Sequence, residues 1–231
     1  LGGKSAAIVH DDADLDAFET DVRWGIYFNA GQVCSAMSRV IAHESIHDEL
    51  VERMVGVAQS LTVKPGIDQP DFGPTMGAMV SEVQRDRAAE IVTAAQGEGA
   101  QVATGGRKMN IPGAFLEPTI VTGVTPDMTI ANEEVFGPVL SVLKFSSDTD
   151  AIKIANGTPY GLVGGVFTRN LDRATTAARK LRAGQVFVNE WYAGGVETPF
   201  GGYGKSGYGR EKGREALWNY VQTKNVAIKL G

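Results

Sequence analysis

The chain has 231 residues, 43% hydrophobic and 21% charged, enough for one full globular core and part of another. A net charge of −5 with no Lys/Arg run argues against nucleic acid as a partner, and no apolar stretch approaches the roughly 20 residues of a membrane helix. The single cysteine precludes an internal disulfide, and the N-terminus has no apolar signal core, so the default expectation is a cytoplasmic protein with no membrane partner.

The chain opens on Leu1-Gly2-Gly3-Lys4-Ser5 without an initiator methionine and runs at once into the strand-like Ala6-Ala7-Ile8-Val9, as though it begins within a longer protein. Leu15, Phe18, Val22 and Ile26 recur at helical spacing after an Asp11-Asp12 capping region and predict a helix ending near Phe28. Ser38 to Ala42 reads as a short buried strand. Ser45 and Asp48 resemble a capping box opening a helix with Ile46, Leu50, Val51, Met54, Val57 and Ala58 facing inward. A loop from Lys64 to Met79 carries the turn signals Pro65-Gly66, Gln69-Pro70 and Gly73-Pro74. A helix from Ser81 to Gln96 follows, then strands at Gln101 to Ala103 and Leu140 to Phe145 with Thr119 to Val124 extended between them. Next come a helix from Asp148 to Ile154, a strand from Val163 to Phe167, a helix from Leu171 to Leu181 and a strand from Gln185 to Asn189. This alternation predicts an α/β fold with a doubly wound, mostly parallel sheet.

Past Asn189 the chain becomes glycine-dense, Arg210 to Tyr220 reads as a helix, and Asn225 to Leu230 alternates at the strand period. Such an extension strand needs an edge to pair with, in another domain or a neighbouring subunit. The expected division is 1–197 as a catalytic domain and 198–231 as a return segment and oligomerisation strand.

Cys34 sits where the first helix gives way to Asn29-Ala30-Gly31-Gln32, small residues that let a substrate approach sulfur. Local sequence alone still favours a buried thiol, because free cysteine is among the most buried residue types. Asn132 to Val139 reads locally as a turn before a strand, punctuated by Gly137-Pro138.

Taken together these segments carry a resemblance. Gly31-Gln32-Val33-Cys34 after Phe28-Asn29 is similar to the active-site cysteine segment of the aldehyde dehydrogenase superfamily, and Leu1 to Ser5 resembles the tail of that family's glutamate motif, at matching spacing. Asn132-Glu133-Glu134-Val135-Phe136-Gly137-Pro138-Val139 is the most specific match. Phe115 to Ile120, Tyr160-Gly161-Leu162 after Asn156-Gly157-Thr158, Gly184 to Asn189, Pro199 to Gly202 and Ser206 to Glu211 also resemble family signatures. Departures are Gly157 in place of the usual acid, and Gly204 where many members carry a basic residue, with Lys205 displaced by one place.

The resemblance implies that Cys34 is the nucleophile that adds to an aldehyde, with NAD or NADP as the oxidant and no metal. It implies that Glu134 accepts hydrogen bonds from the nicotinamide ribose, that Phe136 packs beside the nicotinamide, and that Gly2 lies on the cofactor side. Phe28, Val33, Ser35, Trp191, Tyr192 and Phe200 are the expected substrate-pocket residues. Trp191 and Tyr192 could both line a tunnel, or one ring could pack into the core while the other covers it. The family's general-base glutamate would lie immediately before Leu1, with the oxyanion asparagine and cofactor domain further upstream. Family habit and the terminal strand imply a homodimer or homotetramer. Two alternatives stand beside this reading: a non-enzymatic or inactive fragment that binds or oligomerises, and a cysteine hydrolase drawing on His10, His43 or a His47 expected to face solvent.

Overall fold

The computed structural model describes residues 2–68 and 75–231. Leu1 and the turn signals at Gln69-Pro70 and Gly73-Pro74 lie outside the described residues. In chain order the elements are β1 (Ala6–Val9), α1 (Leu15–Tyr27), β2 (Arg39–His43), α2 (His47–Gln59), β3 (Thr62–Val63), β4 (Thr75–Met76), α3 (Glu82–Gly97), β5 (Gln101–Thr104), β6 (Thr119–Thr122), α4 (Thr129–Asn132), β7 (Val139–Phe145), α5 (Asp148–Ala155), β8 (Val163–Phe167), α6 (Leu171–Lys180) and β9 (Gln185–Val188). Among the described residues the main sheet has the order β5-β6-β7-β2-β1-β8-β9, antiparallel only between β5 and β6.

The central strands explain this order. β1 (AAIV) and β8 (VGGVF) are buried at every position, as expected of parallel strands covered on both faces. The chain steps from β1 to β2 in one direction along the sheet and from β7 to β8 to β9 in the other. Right-handed crossovers therefore place α1 on one face and α5 with α6 on the opposite one. The helix contacts agree, since α1 packs on α2 and α5 packs on α6.

Four local expectations are corrected. The cap of α1 is Asp14, whose side chain accepts from the Ala17 N–H, whereas Asp11 and Asp12 are drawn to Arg173, and Asp12 also to Thr168. No capping box opens α2, because the Ser45 hydroxyl is 2.7 Å from His43 Nδ1 instead. His47 is buried rather than solvent-facing, on the same stripe as Leu50 and Met54. The expected helix from Arg210 shrinks to a 3-10 turn at Arg214–Tyr220, because Lys212 and Gly213 both adopt left-handed backbone (φ 58°).

The terminal stretch Asn225 to Leu230 forms no strand; it is exposed throughout and has no ladder partner among the described residues. The segment before it does return to the body of the fold. Phe200 and Glu211 exchange both backbone hydrogen bonds, and Ser206 is fully buried.

Candidate active site

Open α/β sheets usually bind ligands at the carboxyl ends of their strands, where the strand order reverses. Here the loops that leave β1 and β8 at that end are tied to each other: the Asp12 carboxylate accepts from Thr168 Oγ1 at 2.7 Å and from the Arg169 N–H at 3.1 Å. The residues singled out by the sequence gather mostly at the opposite edge, in the segments that lead into β1, β2 and β7.

The turn that delivers Cys34 follows α1. Asn29, Ala30 and Gly31 are all left-handed, with φ of 50°, 52° and 70°. For Ala30 this conformation costs about 1–2 kcal/mol, which the surrounding packing must offset. Gly31 is required by contact as well as by φ, because a Cβ there would lie 2.1 Å from the Gly137 carbonyl oxygen. Asn29 and Gln32 brace the turn by donating from their side-chain amides to each other's carbonyls, both at 3.1 Å. The Val80 N–H fixes Gln32 from outside at 2.8 Å. Cys34 emerges half-buried, packed against the core.

The N-terminal glycines form the next wall. A Cβ on Gly3 would lie 2.7 Å from the Cys34 carbonyl oxygen, so only glycine lets this segment run alongside the cysteine. The Gly3 N–H donates to Glu134 Oε1 at 3.1 Å, and a Cβ on Gly2 would meet Glu134 Oε2 at 2.7 Å. Burial raises the Glu134 pKa, opposed by the Gly3 N–H and by Lys4. Gln84 Nε2 donates to the Val135 and Phe136 carbonyls at 3.0 and 3.1 Å, holding the segment on which Phe136 takes a φ of 53°. Val33 shares a small cavity with Gly3, Glu134 and Phe136.

Behind the glycines, Lys4 is buried, and its ammonium nitrogen has no hydrogen-bond partner among the described residues. Burial, and then the nearby Arg39 guanidinium, lower its pKa to about 7. Arg39 itself donates to the carbonyls of Lys4, Ile154 and Ala155, closing the C-terminal end of α5.

The third wall divides the two adjacent aromatics. Trp191 is 5% exposed and belongs to the core; its Nε1 donates to the Ser35 carbonyl at 3.2 Å. Tyr192 covers it, with its hydroxyl 3.4 Å from the Gly25 carbonyl. Burial pushes the Tyr192 phenol up to about 12.

Of the six expected pocket residues, Val33 lines the cavity beside Glu134. Ser35, Trp191 and Tyr192 are joined beside Cys34. Phe28 instead projects half-exposed beside Trp24, ring centroids 6.2 Å apart, and lines an outer cleft with Arg23, Asn29 and Met76. Phe200 sits on the return segment, 5.7 Å from Lys212 Nζ. The histidines lie at the other edge: His10 and His43 flank Phe145 at the carboxyl ends of β1 and β2, and His47 begins α2. None of the three hydrogen-bonds to Cys34 among the described residues. Sequence reasoning missed Ser206, whose hydroxyl donates to the Gly2 carbonyl at 2.7 Å, and Asp21, which accepts from the Trp191 N–H at 2.9 Å. Neither pairing has a spacing rule that could reveal it.

A family model described as the aldehyde dehydrogenase family matches residues 1–226. The chain belongs to that family. An aldehyde dehydrogenase of Davidiella tassiana is 47% identical over 231 residues, covering all of this chain and 46% of the relative. The aldehyde dehydrogenase named cytosolic 1 of Rattus norvegicus is 42% identical over 230 residues, covering 45% of the relative. Among solved structures, the NAD-dependent aldehyde dehydrogenase of Sinorhizobium meliloti superposes with a TM-score of 0.94 at 42% identity, over all of this chain and 45% of that one. The NAD+ complex of the Bacillus cereus enzyme gives a TM-score of 0.94 at 41% identity, over all of this chain and 46% of that one. This chain thus spans about half the length of the aldehyde dehydrogenases it matches.

Proposed function

We propose that this chain is the nucleophile-bearing half of an NAD- or NADP-dependent aldehyde dehydrogenase that converts an aldehyde to a carboxylic acid, with Cys34 as the attacking residue. The observation that carries the reading is convergence: the glycine segment preceding β1 lies against the Cys34 carbonyl and also holds the Glu134 carboxylate.

Cys34 Sγ bonds to the aldehyde carbon, and the carbonyl oxygen takes the negative charge. The Cys34 N–H, which makes no hydrogen bond among the described residues, is available to that oxygen. Breaking the aldehydic C–H bond of this thiohemiacetal leaves a thioester on Cys34, which water then cleaves to the acid and free thiol. By family resemblance the base for that water is the residue before Leu1. The nicotinamide, when bound, supplies the two-electron acceptor. Glu134 fits it from this side, because Oε1 is held by the Gly3 N–H while Oε2 bonds to no protein donor among the described residues and can accept from a ribose hydroxyl. Phe136, half-buried two residues on, offers its ring beside that position.

The proposed partners are a small-molecule aldehyde and a second copy of the chain in a homodimer or homotetramer. The exposed apolar residues Trp218, Val226, Ile228 and Leu230 support the latter. No helix among the described residues is long and apolar enough to cross a membrane. The test of function is nicotinamide reduction by the protein that carries this chain together with its cofactor-binding half, over short, aromatic and amino-aldehydes. Turnover with at least one class supports the reading; a folded protein that binds nicotinamide and turns over none of them refutes it.

A further inference from the structure

We infer that Trp191 is a positioning residue for the Cys34 turn rather than a wall that the aldehyde touches, and that Asp21 anchors it. This inference rests on Cys34 being the nucleophile. The indole is buried with its one donor spent on the carbonyl of the residue that follows Cys34, at 3.2 Å. Its bed is opened by a glycine. A Cβ on Gly165, in the middle of β8, would lie 2.7 Å from Trp191 Cζ3, while Gly25, in α1, lies at ordinary contact distance from the other edge of the indole. Phe187 closes the arrangement at a ring-centroid distance of 5.5 Å.

The main chain of Trp191 is held independently, because its N–H donates to Asp21 Oδ1 at 2.9 Å, one turn before Gly25 on the same helix. A rigid line therefore runs from α1 through Asp21 and the indole to the Ser35 carbonyl. That line fixes the Ser35–Ala36 peptide, while Gly3 lies against the peptide before it, at the Cys34 carbonyl. Small displacements of a reacting atom are costly in rate, so a donor that holds the backbone one residue beyond Cys34 acts on the chemical step and not on aldehyde binding.

The test is Trp191→Phe, which keeps a ring in the bed and removes the donor, with Phe187→Leu as a control that loosens the same packing and leaves the donor in place. Amide hydrogen exchange in 33–38 should accelerate at least tenfold in Trp191→Phe with β7 and β8 unaffected. Exchange like the wild type, or an acceleration spread over the sheet as in the control, overturns the inference. In the protein that includes the cofactor-binding half, kcat should fall about tenfold with KM for the aldehyde within twofold; a raised KM with kcat held would make Trp191 a substrate contact and overturn it. Complete lack of turnover in the unsubstituted protein would sink the proposed function, yet the exchange measurement would still decide this one. Should Trp191→Phe not fold, Asp21→Ala releases the same line from its other end and carries the same expectations.

Discussion

The Ser206 hydroxyl donates to the Gly2 carbonyl at 2.7 Å and accepts from the Gly161 N–H at 3.0 Å. Through this side chain the return segment is fastened to the glycines that hold Glu134 and flank Cys34. Ser206→Ala leaves a buried carbonyl and a buried N–H without partners, a loss of roughly 1–3 kcal/mol. Urea unfolding of the variant checks this; a midpoint equal to that of the wild type would show that the clamp carries no stability.

Gly31 faces the Gly137 carbonyl at a φ of 70°. Gly31→Ala adds a methyl where there is backbone and no flexible side chain to yield, and places an L-residue in left-handed geometry, for a cost of about 3 kcal/mol. The expected outcome in denaturant melts is a marked loss of stability, against a gain of about 0.5–1 kcal/mol for Gly56→Ala, which lies inside α2 and whose Cβ would meet nothing within 4 Å.

Glu134→Gln keeps an acceptor for the Gly3 N–H but loses the charge offered to a ribose hydroxyl. Hydrogen bonds to a charged group contribute about 1.5–3 kcal/mol, so nicotinamide dinucleotide should bind at least about tenfold more weakly to the variant, by titration calorimetry with the cofactor-binding half present. Unchanged affinity would remove Glu134 from the cofactor site.

Lys4 gives a pH dependence whose sign is set by its depressed pKa. The folded value is about 7 against an ordinary 10.5. Between those values the unfolded chain binds a proton that the folded chain refuses, so this group's penalty is absent above 10.5, grows as pH falls and is complete near 7. Lys4→Met should therefore be more stable than the wild type at pH 7, by up to about 4 kcal/mol. Its advantage should shrink as pH rises toward 10, in paired urea melts at the two pH values. A stability difference that is flat with pH would show that Lys4 keeps its ordinary pKa.

Much of the fold was legible because its signals are local. The unbroken apolar run of β1 marks a strand buried on both faces, and Ser81 caps α3 by accepting from the Gln84 N–H. Local competition defeated the reading at Ser45, where His43 is the nearer partner. His47 was recoverable, since 47, 50 and 54 fall on one helical stripe; the polarity of histidine obscured it. The terminal stretch could not be resolved within one chain, because a strand exists only with its partner. Cys34 and Glu134 are 100 residues apart in sequence and meet across Gly3, so motif resemblance, and not periodicity, revealed them.

The central claim is that Cys34 forms the covalent bond to the aldehyde carbon. The most direct measurement is peptide mass spectrometry of the protein carrying both halves, quenched in acid during turnover with aldehyde and oxidised nicotinamide. An acyl mass on the Cys34 peptide, together with at least about a thousandfold loss of turnover in Cys34→Ala, is the predicted result. Turnover that persists in Cys34→Ala, or an acyl group carried by another residue, would contradict it.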